Sequence, residues 1–379
     1  MKIVYVVEAV NLPGGYDRVI IEKANYLADY GYDVIISVSS HALAQPYYPI
    51  SEKVRLIDLN VNFHSQYGHN MVVRAYIYKS LMRLYRKRLT KLLYSERPDI
   101  VITTLGRDID FITDIHDGSV KIGESHIAKE YVRNLHLMEK QGFLYRMIAH
   151  YWKRMVELKT AKLSALVLLT NHDADSWKSI TKIVVIPNSI PFYPDYASTC
   201  ENKNVIFVGR LNEQKGLEYL VKTWEGVFAK HQDWTLHIYG DGEQKGMLNQ
   251  LISNSGLENV VIVHQPTKHI MERYLESSIF LLTSRFEGLP MVLLEAKACG
   301  LPIVSFNCPW GPADVICNGV DGFLVDYLNT DEATHKVCAL IENVQLRKAM
   351  GAKARLNVRR YEREFVMKQW VKLFDEVRQ

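Results

Sequence analysis

The sequence has few cysteines and no long apolar run. Its five cysteines all fall in the second half of the chain, and an odd number placed in this way does not indicate a disulfide framework. Three of them recur every nine residues, which matches no structural zinc spacing, so no metal is expected. No stretch approaches the roughly 18 apolar residues of a membrane-spanning helix. We therefore expect a cytoplasmic protein, without a signal peptide or a membrane span.

A strong net charge is also lacking. Lysine and arginine number 46 against 42 aspartates and glutamates, which leaves +4, too little to indicate a nucleic-acid partner. No repeat of about 20 to 50 residues is visible, which argues against a solenoid. With 379 residues, 48% hydrophobic and 23% charged, the composition is typical of globular proteins, and the length favours two domains.

One stretch has no acidic residue at all, from His69 to Ser95. Seven bases lie in it: Arg74, Lys79, Arg83, Arg86, Lys87, Arg88 and Lys91. Apolar residues between them predict an amphipathic helix with a cationic face. Two alternatives fit this pattern equally. The cationic face is either the solvated side of a core-packing helix, or it makes a peripheral contact with an anionic membrane through residues 74–91.

Short β-branched runs alternate with longer amphipathic stretches, which predicts parallel sheets. In the first half we expect a helix over 16–30 and strands over 3–7, 34–38, 100–103, 120–123, 166–170 and 184–186. In the second half we expect a helix over 216–230 and strands over 204–208, 236–239, 260–263, 279–283 and 302–305. The expected α/β fold thus has two Rossmann-like, doubly wound domains.

The domain boundaries follow from where this pattern stops. We expect a first domain over 1–188, a linker over 189–203 that has two prolines and no apolar periodicity, and a second domain over 204–360. Apolar residues from Phe365 to Val377 form one stripe of a helix. We expect this C-terminal helix, 361–379, to pack back on the first domain.

The most informative chemistry lies in Ser284-Arg-Phe-Glu287-Gly-Leu-Pro290, followed by Glu295 in an apolar run. Pro290 suits the first turn of a helix, since it has no amide proton to lose there. Glu287 would then precede the helix and Glu295 would lie inside it. Unpaired amides and a partial positive charge make a helix N-terminus a site for a diphosphate. The two carboxylates can accept hydrogen bonds from hydroxyls on either side of it.

This spacing resembles the paired-glutamate motif of family 4 of the retaining glycosyltransferases, which have the GT-B fold. Val208-Gly-Arg210-Leu-Asn-Glu-Gln-Lys215-Gly resembles a second motif of that family. The resemblance implies two domains facing a central cleft, the first for the acceptor and the second for the nucleotide-sugar donor. It implies that Arg210 and Lys215 hold the diphosphate and that no metal cofactor is needed. Gly288, Leu289 and Glu295 would contact the donor, and Glu287, Arg210 and Lys215 would be catalytic.

Three further matches extend the resemblance. Pro13-Gly14-Gly15 resembles the family's glycine loop after the first strand, although an ordinary strand-to-helix turn also has glycines. His126 follows an expected strand where the family has a histidine that faces the donor sugar, and parallel sheets bind ligands at such strand ends. Gly240 begins a glycine loop after a strand of the second domain. We expect Gly14, Gly15 and Gly240 to bind donor and His126 to be catalytic.

The segment from Ser305 to Ile316 resembles the galactosyl- and N-acetylgalactosaminyl-transferring branch, which serves bacterial polysaccharide biosynthesis and uses UDP-sugars. The implied activity is transfer of a hexose or N-acetylhexosamine to a lipid-linked saccharide or a growing polysaccharide. Alternatives are a GDP-mannose-dependent mannosyltransferase, a UDP-sugar epimerase of GT-B type, and a sugar-nucleotide binding protein without catalysis. The family's glycine after one strand is replaced by His264-Gln265, and its Pro-Asn-Gly by Pro187-Asn-Ser189.

Asp108-Ile-Asp110 has the form of a metal-binding aspartate pair from a different glycosyltransferase fold. Two solvent-facing acids at a helix start explain it equally well. We expect no metal at these residues.

Overall fold

The computed structural model describes residues 1–11, 14–39, 46–135, 138, 142–177, 180 and 182–378. The chain forms two compact units. The first comprises residues 1–186 together with those from Met367 onward, and the second comprises residues 187–366. Residues 189–203, the expected linker, fall within the second unit.

The first unit is built on seven parallel strands in the spatial order β3-β2-β1-β4-β5-β6-β7. The strands are β1 (Lys2–Val7), β2 (Asp33–Val38), β3 (Val54–Asp58), β4 (Ile100–Thr103), β5 (Val120–Glu124), β6 (Ala165–Leu168) and β7 (Ile183–Val185). β3 is absent from the expected strands, because this edge strand buries only Val54 and its sequence is half polar.

Helices cover this sheet, which explains why its central strands are continuous apolar runs. The first helices are α1 (Gly15–Asp29), α2 (Met71–Glu96), α3 (Phe143–Thr160) and α4 (Asn171–Ala174). Short 3₁₀ segments lie at Phe63–Gln66, Arg107–Asp110, Ile112–Asp114 and Lys129–Asn134. The expected basic amphipathic helix is α2. Tyr85, Leu89 and Leu93, four residues apart, form its buried face.

The second unit contains six parallel strands in the order β10-β9-β8-β11-β12-β13. They are β8 (Asn204–Val208), β9 (Thr235–Tyr239), β10 (Val261–His264), β11 (Ile279–Leu282), β12 (Ile303–Phe306) and β13 (Gly322–Val325). β13 is the other strand absent from the expectation, since it is a four-residue segment that begins with glycine.

The helices of the second unit follow these strands. They are α5 (Leu217–Phe228), α6 (Lys245–Asn254), α7 (Ile270–Leu275), α8 (Met291–Ala298), α9 (Pro312–Val315), α10 (Thr330–Glu342) and α11 (Val344–Asn357), with 3₁₀ segments at Glu213–Lys215 and Val358–Tyr361. In α5 the residues Leu217, Leu220, Val221, Trp224 and Val227 are buried. Their spacing of three and four residues is that of one helix face.

The C-terminal helix, α12 (Arg363–Arg378), has its last residues in the first unit. Trp370 and Phe374 are buried as expected, whereas Phe365 is 53% exposed and does not belong to the apolar stripe. No helix in the described part of the chain combines the length and the hydropathy that a bilayer crossing requires.

In both sheets the chain order reverses between two central neighbours. The reversal lies between β1 and β4 in the first sheet and between β8 and β11 in the second. Ligands of doubly wound sheets bind outside the carboxyl ends of the strands at such a switch point. The topology therefore gives each unit one favoured place for a site.

Candidate active site

At the switch point of the second sheet, a lysine and a glutamate meet. Lys215 follows β8 and Glu287 follows β11, and Lys215 Nζ donates to Glu287 Oε1 over 2.6 Å. Ser284 Oγ donates to the same oxygen, also over 2.6 Å. Glu287 is 6% exposed, so these charge-assisted hydrogen bonds fix its carboxylate in place. Because an ammonium has three N–H donors, Lys215 keeps donor capacity for a ligand anion.

Glycines bring the neighbouring backbones unusually close at this edge. A Cβ on Gly240 would overlap the carbonyl oxygen of Gly209, and one on Gly311 would overlap that of Gly288. The stem of Lys215 packs over Gly209, where a Cβ would stand 3.1 Å from its Cε. The loops after β8, β9, β11 and β12 thus form one tightly packed surface, on which backbone amides are close to any bound ligand.

Glu295 is the fifth of the eight residues of α8, and Tyr274 of α7 donates a hydrogen bond of 2.9 Å to its Oε2. Pro290 is the residue before the helix rather than part of its first turn, since its ψ of 97° is extended. Leu293 N donates to the Pro290 carbonyl over 2.9 Å and closes the first turn. Glu287 and Glu295 therefore bracket the N-terminus of one helix, with Gly288 and the buried Leu289 between Glu287 and the helix.

Arg210 lies on the same edge, two residues beyond β8, and is exposed. Its guanidinium has no hydrogen bond or ion pair with any residue in the described ranges. The structure thus brings Lys215 and Glu287 into direct contact and leaves Arg210 as an unpaired cation on the loop before Lys215.

In the first unit, the predicted residues surround the switch point between β1 and β4. Gly14 and Gly15 begin α1 directly after the loop that follows β1, and Pro13 lies outside the described residues. Tyr16 OH donates to Thr104 Oγ1, just beyond β4, over 2.8 Å. His126 stands two residues beyond β5, its ring edge-to-face with Tyr16 at 4.9 Å between centroids.

Asp108 is not the solvent-facing acid that the sequence analysis expects. It does lie in a short 3₁₀ segment, but only 2% of its surface is exposed. Burial raises its pKa to about 6, against the lowering effect of a hydrogen bond from Thr103. Asp110, in contrast, receives a two-pronged ion pair from Arg133, at 2.8 and 3.1 Å. The two aspartates therefore have different surroundings and do not form a matched pair.

The sequence alone assigned no role to three residues around these sites. Ser284 could have been found, since it lies only three residues before Glu287 in the same loop and donates to it. The contacts of Tyr274 with Glu295 and of Glu124 with Lys23 could not, because each depends on the packing of another element. Glu124 is the last residue of β5 and contacts both Lys23 of α1 and His126.

Two doubly wound, all-parallel units in one chain, the second with a cationic and acidic cluster at its switch point, define the class of the GT-B fold. Solved structures that share this fold include TarM and HepE. S. aureus TarM, in complex with fondaparinux, α-GlcNAc-glycerol and UDP, superposes with a TM-score of 0.77 at 16% identity, over 98% of this chain and 99% of that one. HepE from Anabaena, with UDP and glucose, has a TM-score of 0.75 at 16% identity over 99% of each chain.

Sequence comparison narrows the assignment from a fold class to a protein family. The family model "Glycosyl transferases group 1" matches residues 195–357. The amylovoran biosynthesis glycosyltransferase AmsD of Erwinia amylovora is 30% identical over 383 residues, which cover 97% of this chain and 98% of the relative. The chain therefore belongs to the group 1 glycosyl transferases, and it is a glycosyltransferase of GT-B fold.

Proposed function

We propose that the chain is a retaining hexosyltransferase of family 4, which moves a hexose or an N-acetylhexosamine from a UDP-sugar to a hydroxyl of a lipid-linked saccharide or a growing cell-surface polysaccharide. The observation that carries the proposal is the contact of Lys215 with Glu287 at the switch point of the second sheet. Support for UDP comes from TarM and HepE, both solved with UDP. AmsD, named for amylovoran biosynthesis, supports a polysaccharide product.

In this proposal the diphosphate lies over the N-terminus of α8. Lys215 and Arg210 contact its oxygens, together with amides of the glycine-lined loops. Breaking the bond between sugar and phosphate puts negative charge on the leaving diphosphate, and fixed cations and amides that meet this charge lower the barrier. Because two cations already supply that charge, the proposal includes no metal.

The carboxylates have separate roles. Glu287, held by Lys215 and Ser284, lies beside the sugar, where its charge helps to tolerate the oxocarbenium character of the anomeric carbon. Glu295, oriented by Tyr274, accepts from the ribose hydroxyls. The acceptor hydroxyl attacks from the face that the phosphate leaves and gives its proton to the departing phosphate oxygen, so retention needs no protein nucleophile. Gly14, Gly15, Gly240, Gly288 and Leu289 line the donor, and His126 contacts its sugar.

The first experiment measures sugar transfer from UDP-, GDP- and ADP-sugars, preceded by thermal-shift screening of the same donors. A donor that binds only the folded state raises the melting temperature. We expect UDP-sugars to do so and GDP-mannose not to. Incubation with the UDP-sugar alone separates a transferase from an epimerase, because only an epimerase would convert the donor to an isomer.

The second experiment replaces Glu287 or Lys215 with alanine. Each substitution should reduce kcat/KM by about a hundredfold or more, as expected for groups that meet transition-state charge, with the fold retained by circular dichroism. Lys230→Ala is the matched control, since Lys230 is exposed beyond the opposite end of α5. Turnover of K215A and E287A equal to that of K230A would overturn the site.

The proposal also places the enzyme on the cytoplasmic face of the membrane, in peripheral contact through residues 74–91 of α2. Beside those bases, Val72 and Tyr76 are 80% and 75% exposed, so apolar and cationic groups share one end of the helix. Binding to phosphatidylglycerol vesicles and not to phosphatidylcholine vesicles is expected. Equal binding to both would contradict an electrostatic contact.

A further inference from the structure

A buried ionic cluster lies behind His126 in the first unit. Lys23 of α1 and Glu124 at the end of β5 form an ion pair in which the side chains are 3% and 0% exposed. His126 Nε2 lies 3.1 Å from Glu124 Oε1, the oxygen that Lys23 also contacts. The Trp370 ring of α12 covers the Lys23 ammonium at 4.6 Å. Three elements therefore enclose one carboxylate oxygen, which two partners share.

Folding stability does not account for this arrangement. A buried ion pair is commonly matched or exceeded in stability by apolar residues of similar volume. Here Glu124 Oε2 and Tyr5 OH are also buried without a hydrogen bond to any residue that the structure describes. A buried polar group without a partner costs the free energy of its lost hydration. The cluster thus carries a cost that a purely structural arrangement would avoid.

The His126 ring is held on two sides. Tyr16 packs edge-to-face against it, and Tyr16 is itself fixed by Thr104. Nε2 lies 3.1 Å from Glu124 Oε1, but both ring nitrogens are buried without a hydrogen bond to any residue that the structure describes. Buried polar atoms almost always have a partner. Glu124 is within reach of Nε2, and a bound ligand can supply the partner of Nδ1.

We propose that Glu124 is a positioning residue for His126, and that Lys23 keeps it ionised in this role. Glu124 accepts the Nε2–H of His126 and so selects the neutral tautomer in which Nδ1 carries a lone pair. That nitrogen accepts a hydrogen bond from a hydroxyl of the bound sugar. The inference rests on the proposed function, in which His126 contacts the sugar.

The charges around the cluster support this assignment. Glu124 faces Lys23, Tyr16 and Tyr5 as well as His126. Burial alone would raise the pKa of Glu124, but Lys23 and His126 outweigh burial and hold it at about 2. The carboxylate is therefore ionised at every pH at which the enzyme would work, and it remains an acceptor for Nε2–H.

The kinetic test replaces both members of the Lys23–Glu124 ion pair in one variant. K23M/E124Q leaves no uncompensated charge, so it should fold, and its kcat/KM should fall about tenfold, a loss within the range of coupling between contacting residues. In an H126A background the same two substitutions should cause no further loss, because Glu124 acts only through His126. The matched control is K121M/D117N. It removes another buried ion pair, in which Lys121 lies near the other end of β5, and should leave kcat/KM unchanged.

Two kinetic results would overturn the inference: wild-type turnover in K23M/E124Q, or a tenfold further loss in the H126A background. Full transfer by H126A together with lost transfer in E287A would overturn the inference and leave the proposed function intact. A wild-type chain that transfers no sugar would instead overturn the proposed function.

A second measurement needs no activity. Nitrogen shifts of ¹⁵N-labelled histidine, with the His126 signal identified by its loss in H126A, report the tautomer. We expect a fixed Nε2–H form in the wild type and a mixture of both tautomers in K23M/E124Q. A wild-type signal of the Nδ1–H form, or the same mixture in both proteins, would overturn the inference.

Discussion

Acidic side chains at the carboxyl edges of the two sheets differ in their hydrogen-bond partners. In the second unit Glu287 receives hydrogen bonds from Lys215 and Ser284, and Glu295 receives one from Tyr274. In the first unit Asp108 and Glu124 each keep one buried carboxylate oxygen without a partner among the described residues. The two units share a topology, so this difference comes from side chains and not from the fold.

The comparison separates two ways of building a strand-end site. The acidic side chains of the second edge are hydrogen-bonded within the protein, and its loops pack backbone against backbone through their glycines, so these carboxylates are positioned before a ligand arrives. At the first edge, buried oxygens of Asp108 and Glu124 have no partner among the described residues, which costs free energy until a partner reaches them. Removing a hydrogen-bonded partner of a buried acid should therefore destabilise the second unit, whereas removing an unpaired acid can stabilise the first.

The largest expected effect is at a satisfied ion pair of the second unit. Lys297 of α8, fully buried, donates to Asp321 over 2.8 Å and to the Val315 carbonyl over 2.6 Å. Lys297→Met should cost about 3 to 5 kcal/mol, because it leaves the Asp321 carboxylate buried without its cation. Chemical denaturation measures the loss.

The control for this prediction is the same substitution at an exposed pair of the same unit. Lys203 and Asp233 are about 60% exposed, so K203M should cost less than about 1 kcal/mol. Equal losses in K297M and K203M would show that burial of the pair does not matter.

A smaller loss is expected at the glycines of the second edge. A Cβ on Gly240 would overlap the backbone oxygen of Gly209, so Gly240→Ala should cost about 1–3 kcal/mol, the usual penalty for overpacking. Gly246, inside α6, has no atom within 4 Å of an added Cβ. There alanine should stabilise by about 0.5–1 kcal/mol. A G240A protein as stable as G246A would refute the close approach.

The sequence predicted the two-sheet fold because its central strands are buried on both faces and so appear as unbroken β-branched runs. It missed Val54–Asp58 and Gly322–Val325, one a half-polar edge strand and the other a short run opened by glycine. Phe365 was expected to be buried because it falls on the apolar face of the helix. The periodicity of a helix shows which face a residue is on, but it does not show how far along the helix the neighbouring elements cover that face.

The site residues also divide into those that the sequence could predict and those that it could not. Glu287, Glu295, Arg210 and Lys215 are close to strand ends in sequence, so their motif spacing located them. The sharing of Glu124 by Lys23 and His126 joins α1 to β5, and no local pattern encodes a contact between residues about a hundred positions apart. Solvent-facing aspartates were expected at 108–110 because charge alone does not indicate that Asp108 is buried.

The last effect, also of opposite sign to the losses above, is at Asp108 in the first unit. Burial raises the pKa of this carboxyl from 3.8 to about 6 in the folded chain. Well below pH 3.8 it is protonated whether the chain is folded or unfolded, so Asp108→Asn should change stability little there. As the pH rises through 3.8 towards 6 the unfolded chain releases the proton first, and the wild type loses stability relative to D108N. The substitution also weakens the hydrogen bond with Thr103, which cancels part of this gain. We therefore expect D108N to be about 1 kcal/mol more stable at pH 7.

Asp110→Asn, which removes the partner of Arg133, should instead destabilise, by up to about 1 kcal/mol. Denaturation of both variants at about pH 3 and pH 7 tests the pair. A D108N protein less stable than the wild type at pH 7 would mean that the unpaired oxygen carries no cost, and the first edge would then be satisfied in the same way as the second.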